Sequence, residues 1–76
     1  MKLKELINEY IDNCGEEILN YFFVGYQFLD NGKREYAVKQ IKIVIKELPF
    51  LLNCEVDHIS EGENFFKVFY LKEKIK

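Results

Sequence analysis

The sequence is poor in the residues that usually announce a function: one proline, one histidine, one methionine, two cysteines and no tryptophan among 76 residues. Each scarcity excludes something. Two cysteines, Cys14 and Cys54, do not make the dense disulfide framework of a secreted miniprotein. The longest apolar-rich stretch, 18–29, runs for about twelve residues and is interrupted by Asn20, Gly25 and Gln27, whereas a membrane span needs roughly twenty. No charged-then-apolar leader with a small-residue cleavage site is recognisable. The expectation is a cytoplasmic protein with no membrane partner.

What is present points to a folded chain. Hydrophobic residues make up 49% and aromatics 16%, with a formal net charge of only −2, a composition unlike that of disordered segments. Seventy-six residues make one domain, 1–76. A chain this short buries only about 60% of its unfolded surface. Apolar content this high in so small a body implies that some of it is exposed for a partner. The abundance of Lys, Ile, Asn, Glu, Tyr and Phe is that of an AT-rich coding genome, bacterial or viral.

Residues 2–14 read as a helix. Leu3, Leu6, Ile7, Tyr10, Ile11 and Cys14 recur at the spacing of one helical face, and Gly15 stands where a left-handed cap ends such a run. Residues 18–48 admit two readings. In the first, Asn31-Gly32 is the two-residue turn of a β-hairpin, with Asp30 facing Lys33 across it. The flank before that turn does not alternate, however, and would need burial on both faces. In the second, Ala37, Ile41, Val44, Ile45 and Leu48 form one helical stripe, Glu35, Lys39, Lys42 and Lys46 the opposite one, and Pro49 stops the run. The last third, with a turn at 61–64 before the β-prone run 65–71, reads as a β-hairpin.

The segment 18–49 resembles a single tetratricopeptide repeat, a pair of antiparallel helices. Tyr21, Val24, Gly25 and Phe28, then Gly32, Ala37, Ile41 and Pro49, stand at the spacings of that family. Val44 departs from it where a small residue is usual, and Arg34 where an aromatic is usual. The resemblance implies that Gly25 and Ala37 are small because two helices cross there. It also places Leu19, Phe22, Phe23, Tyr26 and Leu29 on the concave, ligand-contacting face. No second copy follows, so a solenoid is excluded.

Chemistry is thinly represented. Asp57, His58 and Ser60 superficially supply an acid, a base and a hydroxyl, but sequence neighbours on a strand point to opposite faces and a triad needs convergence in space. Cys54 and His58, with Cys14, lack the paired short spacings and fourth ligand of a zinc site. The cysteines, Cys14 on the helix stripe above all, read as small buried hydrophobes. No metal or cofactor is expected, and the reading is not an enzyme.

The fold expected is therefore mainly α: an N-terminal helix, a repeat-like antiparallel helix pair and a C-terminal hairpin that reads as β. The alternative is α+β, one helix on a four-stranded antiparallel sheet. The function expected is non-enzymatic protein binding, by an adaptor or a small inhibitor or immunity-type protein of the kind phages and mobile elements encode. Its contact residues would be Phe22, Phe23, Tyr26 and Leu29 with the acidic Glu55, Asp57, Glu61 and Glu63. Two alternatives stand beside it: self-association as a homodimer, and nucleic-acid binding through Lys39, Lys42 and Lys46, against which an acidic chain of pI about 5.4 argues.

Overall fold

The computed structural model describes residues 1–75 and corrects the mainly α expectation: the chain is α+β. Helix α1 (Leu3–Cys14) opens the fold as the periodicity predicts. The Glu5 carboxylate accepts the Lys2 backbone N–H at 2.8 Å, satisfying one donor at the helix start. Gly15, at φ 85°, ends the helix. A short 3-10 segment (Glu16–Tyr21) leads into strand β1 (Phe22–Asp30), and Asn31-Gly32 turns the chain into β2 (Lys33–Gln40). Both turn residues have positive φ, 51° and 77°, as the type I′ hairpin turn requires. Helix α2 (Ile41–Glu47), a second 3-10 segment starting at Pro49, and strands β3 (Val56–Glu61) and β4 (Lys67–Ile75) complete the chain.

The four strands form one mixed sheet in the order β2-β1-β4-β3. The central pair β1–β4 is parallel and both outer pairs are antiparallel. The α+β alternative thus had four strands right, but the sheet is not antiparallel throughout and α1 is not the only helix. The C-terminal hairpin forms as β3–β4.

The repeat-like helix pair does not form. Only Ile41–Glu47 of the second stripe is helical; Ala37 and Lys39 belong to β2. The physical reason lies in β1, a central strand that meets the helices on one face and aromatic rings of β4 and its turn on the other. Phe22 and Val24 are fully buried on one face, while Gly25 lies on the other beneath the ring of Tyr70. A strand buried on both sides shows no alternation, and its apolar run then looks like a helix with no exposed face. The residues of the repeat pattern serve other purposes: Gly25 admits a ring, Gly32 makes the hairpin turn, and Pro49 starts a 3-10 turn.

One face of the sheet carries the core. Leu3 and Ile7 of α1, Ile41 and Val44 of α2, and Leu51 pack on Phe22, Val24, Phe69 and Leu71. Tyr10, Phe22 and Phe69 meet edge to face at centroid separations of 5.1 and 5.0 Å, a geometry aromatic pairs prefer. With the helices on this side, the other face of the sheet is left bare by the described residues.

Candidate binding face

Strand register sorts the side chains of the bare face into rows, because directly paired residues point the same way. Gln40, Phe23, Val68 and Ser60 form one row, and Val38, Gly25, Tyr70 and His58 the next. Tyr36, Gln27 and Lys74 follow, then Arg34 and Leu29. In the middle of the second row Gly25 leaves room for the Tyr70 ring to lie flat on the sheet. A Cβ there would sit 2.6 Å from Tyr70 Cδ1. The ring continues sideways into a stack with His58, centroids 4.6 Å apart and planes 17° apart. Tyr36, 74% exposed, and Val38, 53% exposed, stand across from it on β2. Between them opens a shallow cleft of about 270 Å³, mostly apolar, with Gln27, Asp57 and His58 at its margin.

Aromatic surface extends beyond the sheet along the β3–β4 turn. Phe66 packs on Phe23 and on Tyr21, and Tyr21 also meets Phe65. Phe65 is 75% exposed and held at φ 70°, a left-handed conformation that is a genuine outlier for a bulky side chain. Strain of this kind costs on the order of 1–3 kcal/mol and tends to mark functional segments.

The residues singled out from sequence fall in different places. Phe22 is wholly buried in the core and has no surface to offer, which corrects its assignment as a contact residue. Tyr26 leans on the core side of β1. Phe23 and Leu29 do lie on the bare face. The acidic residues are engaged locally: Glu55 with the α-amino group of Met1 at 3.0 Å, Asp57 with His58 Nδ1 at 2.9 Å, and Glu61 with Lys67 at 2.6 Å. Glu63 is exposed in the turn. The Lys67 hydrogen bond holds the Glu61 carboxyl below its ordinary range and the Lys67 amine above its own. The basic stripe is split: Lys39 lies on β2, Lys42 and Lys46 on α2, and Lys42 shares a groove with Glu16 and Glu17.

Cys14 is exposed at the end of α1, against the expectation that it would be buried, whereas Cys54 is buried. Burial pushes the Cys54 thiol up, with Glu73 adding to the effect. Among the described residues no three His, Cys, Asp or Glu side chains converge on a metal position, and no helix is long and apolar enough to cross a membrane. Sequence reasoning missed Tyr36, Val38, Tyr70, Phe65 and Phe66. The signal for the first two was the alternation Arg34, Tyr36, Val38, Gln40, visible only once 33–40 is read as a strand. Comparison with protein-family models, with curated proteins and with solved structures returns no match.

Proposed function

We propose that the chain is a non-enzymatic protein-binding module, an adaptor or small inhibitor that occupies a surface of a larger protein through the helix-free face of its sheet. One observation carries this reading: the row Val38, Tyr70 and His58, with Tyr36 beside it, is an aromatic surface that no described segment covers. A domain this small has few apolar side chains to spare from its core, so leaving them exposed on one face argues for use there. The surroundings have the composition of an interface rim. Gln40, Ser60, Gln27, Arg34 and Lys74 ring the apolar centre, and tyrosines inside a polar rim are typical anchors.

Placing a photo-crosslinking residue at Val38 and, as a control, at Glu9 on the helix side tests the reading. In extract of the cells that make the protein, the face position should trap one predominant protein and the control none. Tyr36→Asp on a chain still folded by circular dichroism should abolish the trapping. Equal labelling from both positions would overturn the proposal. A product of twice the chain mass would transfer the face to self-association, and crosslinks to nucleic acid would transfer it to that class.

A further inference from the structure

Strand β2 is the outer strand beside the cleft, and its free edge has a specific chemistry. Asp30 and Lys33 close a two-residue turn, which makes them a mutually hydrogen-bonded pair. Antiparallel pairs then alternate along the ladder. Arg34, Tyr36 and Val38, partners of Leu29, Gln27 and Gly25, occupy the positions whose own N–H and C=O groups point away from β1. The same three residues put their side chains on the bare face. Backbone donors and acceptors and the aromatic cleft are therefore offered together, by one strand.

The opposite edge of the sheet is less open. There Val56 N–H donates to Met1 O at 3.0 Å and Leu3 N–H to Cys54 O at 2.9 Å, so residues 1–3 cover the start of β3. Among the described residues, β2 has no such cover: from Lys33 to Lys39 no backbone hydrogen bond to anything but β1 is formed, and only the Gln40 carbonyl turns away, into the start of α2. Charge selects the occupant. Along β2 stand Lys33, Arg34 and Lys39 against the single carboxylate of Glu35, a net charge of +2, of which Asp30 of β1 offsets one beside Lys33. Lysines on an edge discourage pairing with a second, equally positive copy and favour an acidic segment.

We infer that β2 accepts an extended, acidic peptide segment of the partner protein as a fifth strand, with apolar side chains beside Tyr36 and Val38 and carboxylates near Arg34 and Lys39. Strand addition of this kind draws affinity from main-chain hydrogen bonds and specificity from alternate side chains. The inference rests on the helix-free face being the working surface and adds the mode of attachment and the chemistry of the partner.

The probe is a random decapeptide display library selected on the immobilised full chain, followed by hydrogen exchange with one selected synthetic peptide. Selected sequences should carry Asp or Glu around alternating apolar residues. Exchange of the Tyr36 and Val38 amides should slow by about tenfold or more on binding. Arg34→Glu with Lys39→Glu should weaken the peptide by about tenfold or more. Val38→Pro should abolish binding, since it removes an outward N–H while sparing the β1 ladder; should that variant not fold, the exchange measurement still decides. Failure to select any peptide overturns the inference. Peptides that perturb Tyr70 and His58 but leave the β2 amides unprotected overturn it while leaving the binding face intact. Peptides that perturb neither count against both readings. Protection of the β2 amides by a deoxythymidine twelve-mer, or by raising the concentration of the free chain, overturns it in favour of nucleic acid or a second copy.

Discussion

The ring of Tyr70 lies across Gly25 so closely that a methyl group there would stand 2.6 Å from Cδ1 and 2.7 Å from Cε1. The glycine sits at a central position of a central strand, where its missing side chain normally weakens the sheet. Here the vacancy is filled by a neighbour's ring, which is thereby aimed at His58. Gly25→Ala must displace that ring. The expected cost is about 1–3 kcal/mol, accompanied by loss of the ring-current shift that Tyr70 imposes on the His58 imidazole protons. Urea unfolding and proton NMR of the same variant check both parts. An unchanged His58 shift would mean that the stack does not depend on the glycine.

Phe65 supplies the converse case, a residue whose removal should help the fold. Its φ of 70° and its exposure leave it strained and without burial to compensate. Asparagine tolerates that region far better, so Phe65→Asn should stabilise the chain by about 1 kcal/mol. For a domain of this length that corresponds to a rise in Tm of about 4–8 °C, read by thermal circular dichroism. A lower Tm would show that the contact of Phe65 with Tyr21, at 6.5 Å between centroids, outweighs the strain. If the aromatic is kept for binding, the stabilised variant should also trap less partner in the crosslinking experiment.

How far the fold was legible follows from where each element sits. Helix α1 lies on the surface with one face on the core, so the spacing from Leu3 to Ile11 declares it. The β3–β4 hairpin declares itself through its turn and the β-prone run 65–71. β1 was opaque because Phe22 and Val24 meet the helices while Phe23 and Gly25 meet Phe66 and Tyr70 from the other side. Both faces are thus apolar, and local sequence cannot tell such a strand from an enveloped helix. β2 was misread because Ala37 and Ile41, four residues apart, belong to different elements. The binding face was hidden for a further reason. Tyr36, Gly25, Tyr70 and His58 come from four strands, and only the parallel β1–β4 register brings them together.

The two thiols should separate by reactivity. Cys14 is exposed, whereas Cys54 is buried and its thiol is held neutral to higher pH than usual by burial and by Glu73. Only the thiolate attacks alkylating reagents. Iodoacetamide at pH 8 should therefore label Cys14 alone, with Cys54 following only in denaturant; peptide mass mapping reads the result. Because the folded Cys54 binds its proton more tightly than the unfolded chain does, its contribution is complete below the ordinary thiol range. It fades as pH rises through the raised folded value. Cys54→Ala should flatten that alkaline loss of stability.

Glu61 and Lys67 face each other in adjoining strands, 2.6 Å apart, and the hydrogen bond holds the glutamate below its ordinary range. The folded chain therefore releases this proton more readily than the unfolded one. The pair contributes at pH above the ordinary glutamate range, and its contribution is lost as pH falls through the lowered folded value. A side-chain carboxyl NMR titration should place the Glu61 midpoint in the native protein below its midpoint in Lys67→Met. Since Glu61 is exposed, with 70% of its side chain accessible, 1 M salt should move the native midpoint most of the way toward that variant. Lys67→Met should also unseat the ammonium now 5.7 Å above the Tyr10 ring, shifting the Tyr10 ring protons. A Glu61 midpoint that neither the substitution nor salt can move would show that the ion pair does not set the acid response of the β3–β4 hairpin.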